Sequence, residues 1–116
     1  MIKQINIHNN GKNLRDFTYV DDVVKILTNF SIINKKIKII NIARSKPVKN
    51  IDLIYKIKKI YRKKKENFNF IKTVRGEMLK THGCNKKLIK NFKKFKFTEL
   101  NKGLAKTIKI FKKYGI

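Results

Sequence analysis

Gly11-Lys12-Asn13-Leu14-Arg15-Asp16-Phe17-Thr18-Tyr19-Val20-Asp21-Asp22 is the stretch on which the reading of this chain turns. In extended backbone alternate side chains share a face, so Arg15, Phe17 and Tyr19 project together while Asp16 and Thr18 face the other way. A guanidinium forks onto two phosphate oxygens, and a nearby aromatic ring packs on a base or sugar, which suits a nucleotide diphosphate. Asp21 and Asp22 stand where an N-cap and a first-turn acid belong, and Val23, Ile26, Leu27 and Phe30 follow at helical spacing. A helix is expected over about residues 21–30.

Downstream the pattern is mixed. Residues 34–36 read as a polar connector, and Ile37-Lys38-Ile39-Ile40-Asn41-Ile42 as a strand, because β-branched residues dominate an imperfect alternation. Pro47 ends it, since proline donates no ladder bond and pushes Lys46 from the helical region. Asn50 and Asp52 open a helix whose apolar stripe is Leu53, Ile54, Ile57, Ile60 and Tyr61, with cations at residues 62–65 against the negative end of its dipole. Phe68, Phe70 and Ile71 suggest a short half-buried strand, and residues 85–91 a short helix. Thr98 is placed to cap a last helix carrying Leu100, Leu104, Ile108 and Phe111 on one face.

The chain has 116 residues, enough for one small domain, and a net charge of +24. Such a charge suits a polyanion partner through phosphate neutralisation and counterion release. Yet 27 of the 31 basic residues are lysine, alongside heavy use of Ile and Asn. That bias also follows from A/T-rich codons, so the charge alone does not assign a partner. Cys84 is solitary, which rules out an internal disulfide framework and fits a reducing cytoplasm. Apolar runs fall far short of the ~20 residues that span a bilayer, and residues 1–11 hold no signal-type apolar stretch. The expectation is a soluble, cytoplasmic chain without a membrane partner.

The opening stretch resembles the G-x-x-x-R-D-F-T-Y-V-D-D signature of NAD-dependent nucleotide-sugar epimerases and dehydratases, the extended short-chain dehydrogenases/reductases. In that family it lies well past the cofactor domain. The resemblance implies that residues 1–116 form a single partial domain, the C-terminal, substrate-side portion of a Rossmann-type α/β fold, with the cofactor-binding half absent. It also implies that Arg15 contacts the diphosphate, with Phe17 beside it.

Two later motifs follow in the family's order. Asn41-Ile42-Ala43-Arg44-Ser45-Lys46-Pro47-Val48 resembles N-I-G-N-S-x-P-V, with Ala43 replacing Gly; if that position needs positive φ, alanine costs about 1 kcal/mol. Arg44 replaces a small or amide residue and reads as a solvated turn residue, with anion binding beside a ligand pocket as the alternative. Val74-Arg75-Gly76-Glu77-Met78-Leu79-Lys80-Thr81 resembles [RQ]-x-G-[DE]-x-x-x-T, whose carboxylate is associated with the nucleotide ribose. That role carries to Glu77. Arg75 sits one place from the family's Arg, and a one-residue backbone adjustment would present it to phosphate. Cys84 replaces a common Asp, and Thr98-Glu99-Leu100 resembles T-S-L without its preceding Pro.

The pattern is most similar to UDP-glucuronate 4-epimerases, whose full-length members use tightly bound NAD to oxidise and re-reduce C4 of the sugar. The resemblance implies a UDP-sugar ligand and a polysaccharide-biosynthesis setting. The chemistry needs a Gly-rich phosphate turn and a Tyr-x-x-x-Lys base. No such Gly motif occurs here. Tyr55/Lys59 and Tyr61/Lys65 fit the second pattern only as lysine-rich coincidence, and His8 and His82 lack partners at metal or triad spacing. The expected function is therefore a truncated or split enzyme that binds no NAD alone and is not catalytic alone, and that acts only if a separate chain supplies the cofactor half. The alternatives are a basic RNA- or polyanion-binding module and an inactive relic.

Overall fold

The computed structural model describes residues 4–33, 39–61 and 67–115, and the side chains of all these except residues 30–33. Strand β1 (Gln4–His8) alternates Ile with polar residues and pairs in parallel with β4 (Asn67–Ile71), Ile7 opposite Phe70. Sequence reading overlooked β1. Its end carried a second signal, because Asn10-Gly11 is a hairpin-type turn pair: the Lys12 N–H donates to the Asn9 carbonyl at 2.9 Å, with Asn10 at φ 51° and Gly11 at φ 72°. Gly11 is required twice over, since a Cβ there would also stand 2.6 Å from that of Ile51.

Leu14–Arg15 (β2) pairs antiparallel with Val48–Lys49 (β3). On its other side Leu14 exchanges backbone bonds with Leu79 and Thr81. Helix α1 (Val20–Ile33) starts with both Asp22 and Val23 N–H groups donating to the Tyr19 carbonyl. Ile26 is its buried anchor, whereas Val20, Val24 and Leu27, spaced along one face, are each more than half exposed. Helix α2 (Asn50–Tyr61) and the last helix pack together. Lys112 of that helix stacks 4.9 Å from the Tyr61 ring. A short α3 (Lys86–Asn91) buries Leu88 completely, and α4 (Leu100–Tyr114) ends on Gly115 in the left-handed C′ position.

Two sequence expectations change. Residues 39–42 form no strand, and residues 37–38 lie outside the described residues. Side chains of the 85–87 region meet the backbone here: Lys87 Nζ donates to the Ile39 carbonyl at 2.6 Å and, just beyond the segment, Asn85 Nδ2 to the Ala43 carbonyl at 3.0 Å. Thr98 caps nothing; Glu99 is the N-cap of α4, and the Thr98 hydroxyl is bound to Asp22 instead. The connector at 34–36 and the cations at 62–65 lie outside the described residues.

Among the described residues the buried apolar set is small: Ile7, Ile26, Ala43 and Leu88. The molecule is a slab 19 Å thick with a radius of gyration of 17.1 Å, against about 13 Å expected for a closed domain of this length. No helix among the described residues is long and apolar enough to cross a membrane.

Candidate functional site

Asp16 and Thr18 anchor the signature stretch on one side. Asp16 Oδ2 accepts the amides of Ser45 at 2.9 Å and Gly83 at 3.1 Å, and Oδ1 accepts that of Lys46 at 3.3 Å. Thr18 Oγ1 accepts the Arg44 amide at 3.1 Å. The alternation expected for extended backbone thus extends beyond the two paired residues of β2: the even positions bind the 43–46 and 81–83 loops, and the odd ones face elsewhere.

Arg15 and Phe17 enter a cleft of about 440 Å³ whose other walls include Ile7, Leu53, Ile54 and Glu77. Its volume falls within the range of about 300–1,000 Å³ usual for small-molecule sites. Arg15 Nη1 donates to the Leu14 carbonyl at 2.9 Å, which fixes the head while its remaining donors meet no acceptor among the described residues. Glu77 arrives from the turn after β4, where Gly76 takes φ 85° and the Glu77 amide donates back to the Val74 carbonyl at 3.1 Å.

One oxygen of Glu77 is engaged and the other is not. Oε1 accepts from Asn13 Nδ2 at 2.6 Å, whereas Oε2 is buried without a partner among the described residues. Asn13 is itself fully buried, and its Oδ1 accepts from Asn9 Nδ2 at 2.6 Å. Sequence reasoning passed over Asn13; a polar residue two places past a turn glycine was its one available signal. Arg75, in contrast, is exposed in the turn and lies outside the cleft lining.

Phe17 and Tyr19 also border a second hollow of about 160 Å³ beneath α4. There Gly103 lets the helix approach the Tyr19 ring, to which a Cβ would come within 3.3 Å. The Tyr19 hydroxyl is held above the usual phenol range, first by desolvation, then by its hydrogen bond to Asp21 and the charges of Asp21 and Asp22.

Other expectations fare differently. Arg44 is buried at 7 % exposure rather than a solvated turn residue, because its Nη2 donates to the Lys46 carbonyl at 2.6 Å. Ala43 carries no positive φ; the left-handed residue of this loop is Ser45 at φ 60°. Ser45 Oγ lies 3.2 Å from His82 Nε2, a partner the spacing did not reveal. Asp16, the nearby carboxylate, binds backbone amides instead of that ring. Tyr55, of the first Tyr-x-x-x-Lys match, is 59 % exposed on α2.

The five glycines do not fit a dinucleotide cradle. Gly11 and Gly76 form turns, Gly83 lies against Ala43, Gly103 faces Tyr19 and Gly115 ends α4.

Comparison with known proteins bears on the fold. The chain superposes on UDP-glucuronic acid 4-epimerase from Bacillus cereus, solved with UDP-glucuronic acid and NAD, with a TM-score of 0.76 and 30 % identity over 97 % of this chain and 36 % of that one. The dTDP-glucose 4,6-dehydratase of Bacillus anthracis, solved with NAD, gives a TM-score of 0.79 at 18 % identity, covering 97 % of this chain and 35 % of that enzyme. The structural neighbours are NAD-dependent nucleotide-sugar epimerases and dehydratases of the extended short-chain dehydrogenase/reductase type, and the mixed α/β fold with short strands is theirs. An uncharacterized protein of Methanocaldococcus jannaschii is 36 % identical over 80 residues, 69 % of this chain and 24 % of its own length. The chain therefore spans about a quarter of that curated relative and about a third of the solved enzymes. No protein-family model matches it.

Proposed function

We propose that this chain is the nucleotide-sugar-binding portion of an NAD-dependent epimerase or dehydratase, similar to UDP-glucuronate 4-epimerase, and that it takes a UDP-sugar in the Arg15/Glu77 cleft. The observation that carries the reading is the buried, unpartnered Oε2 of Glu77 in a cleft also lined by Arg15 and Phe17. A buried acceptor without a donor is costly, and ribose hydroxyls are donors of the right kind. Arg15 supplies charge-assisted bonds to the diphosphate, and Phe17 supplies an apolar face for the base or sugar.

Cofactor binding and the hydride step belong, on this reading, to a complementary half, in the same or a separate polypeptide, and the chain alone does not turn over. The thin slab, its small buried core and the exposed face of Val20, Val24 and Leu27 support a surface made to be covered by that half. Arg75, outside the cleft, becomes a phosphate contact only if the 74–77 turn moves. The test is an NMR titration with UDP: shifts at Arg15, Phe17 and Glu77 that saturate are expected, and unchanged spectra at millimolar ligand would sink the proposal.

A further inference from the structure

A smaller cavity of about 200 Å³ shares no lining residue with the Arg15/Glu77 cleft; Arg44, Val48, Lys56, Glu99, Leu100 and Asn101 form its walls. Arg44 is 7 % exposed, and its Nε is buried without an acceptor among the described residues. Its other nitrogens are engaged unequally. Nη2 donates to the Lys46 carbonyl at 2.6 Å, while Nη1 stands 3.8 Å from Glu99 Oε2, a loose pair whose carboxylate is 70 % exposed.

The facing wall is the start of α4. Glu99, its N-cap, makes no side-chain cap bond, and the first turn holds no acid. Thr98, the neighbouring hydroxyl, is committed to Asp22. The first intrahelical bond runs from the Gly103 N–H to the Glu99 carbonyl at 2.9 Å. The amides of Leu100, Asn101 and Lys102 therefore have no intrahelical acceptor, and they carry the positive end of a 15-residue helix. The residues at the start of α4, Arg44 with its unpartnered Nε, and Lys56 of α2 all line one hollow. Its volume is below the ~300 Å³ at which organic-ligand pockets begin, so it suits a single small anion.

We propose that this cavity binds a phosphate-type oxyanion, held by Arg44 Nε–H, the first amides of α4 and Lys56, with Glu99 swinging off Arg44 to admit it. Glu99 is then an internal competitor. Its other oxygen already rests 3.3 Å from Lys46 Nζ, outside the cavity lining, where it can remain.

The test is a ¹⁵N NMR titration of the full chain with inorganic phosphate and, in a second arm, with glucose 1-phosphate, at an ionic strength that screens surface lysines. Saturable shifts are expected at the Leu100 and Asn101 amides and at Arg44 Nε–H. Glu99→Gln should tighten binding about 3-fold and Lys56→Gln weaken it by a similar factor, the scale of one partly exposed charge contact. Lys113→Gln, equal in charge change but on the last turn of α4, should leave it unaltered. A stronger response to the monoester identifies a phosphorylated metabolite as the ligand, and an equal one identifies the free ion; both support the site. Shifts that rise linearly across lysine-bearing surfaces, or a Glu99→Gln variant with unchanged affinity, overturn it.

Discussion

Asp22 and Thr98, 76 positions apart, are joined twice: Asp22 Oδ2 accepts the Thr98 amide at 2.7 Å and Oδ1 its hydroxyl at 2.9 Å. Asp22 is 2 % exposed, so the carboxylate works as a clamp between the start of α1 and the approach to α4. Hydrogen bonds to a charged group contribute about 1.5–3 kcal/mol each. Asp22→Asn, which halves the acceptor capacity, should lower unfolding free energy by about 2–4 kcal/mol. Thr98→Val, which removes one bond, should cost about half of that, while Thr98→Ser should be mild. Urea unfolding monitored by circular dichroism checks the series; an Asp22→Asn chain as stable as the parent contradicts the clamp.

Gly83 and Ala43 form a second coupled pair. A Cβ built at Gly83 would overlap the Ala43 methyl, and Ala43 stands where the resembled motif has glycine. The Ala43 methyl fills the space that Gly83, without a side chain, leaves open. Gly83→Ala alone should destabilise by about 1–3 kcal/mol through overpacking. Adding Ala43→Gly should recover most of the loss, a coupling that a double-mutant cycle measures directly. Independent, additive effects would show that the two positions do not share the space.

Tyr19 should give an alkaline signature. Its phenol is raised above the ordinary value by desolvation, the Asp21 bond and the Asp21 and Asp22 charges. The folded state then keeps the proton to higher pH than the unfolded one, so the associated stability is complete below the unfolded phenol value of about 10 and is lost as pH rises through the folded value. Absorbance at 295 nm should show a late-ionising tyrosine component, and Tyr19→Phe should remove it. Its persistence in the variant would assign it to another tyrosine.

The helices were readable because each carries a periodic stripe or an opening signal: Asp21/Asp22 before Ile26, Asn50 before Leu53, and Leu100, Leu104 and Ile108 along α4, whose expected cap Thr98 is bound to Asp22 instead. β4 showed through Phe68 and Phe70. What escaped was held by long-range partners. β1 is a single alternating pair, Ile5 and Ile7, whose mate lies in β4. Residues 39–42 have strand composition, yet their neighbourhood is satisfied by Asn85 and Lys87 side chains, which no local pattern announces. The same holds at the site. Arg15, Phe17 and Glu77 were legible from motifs, but Asn13, which orients Glu77, and the burial of Arg44 depend on contacts formed only on folding.

Glu77 and Arg15 can be separated by what each would touch. Glu77→Gln keeps an oxygen for Asn13 Nδ2 but replaces the unpartnered acceptor with a donor, so the fold should survive while a hydroxyl partner is lost. Ribose contact lies in the nucleoside, so UDP and uridine should both weaken, by about 10- to 100-fold if the lost bond is charge-assisted. Arg15→Gln removes the diphosphate contact proposed for it and leaves the nucleoside's proposed partners in place. It should weaken UDP by a comparable factor and leave uridine nearly unchanged. Calorimetric titration of the two ligands against the two variants yields four affinities. Equal loss of uridine binding in both variants would mean that Arg15 acts by shaping the cleft, and unchanged UDP binding by Glu77→Gln would remove its carboxylate from the site.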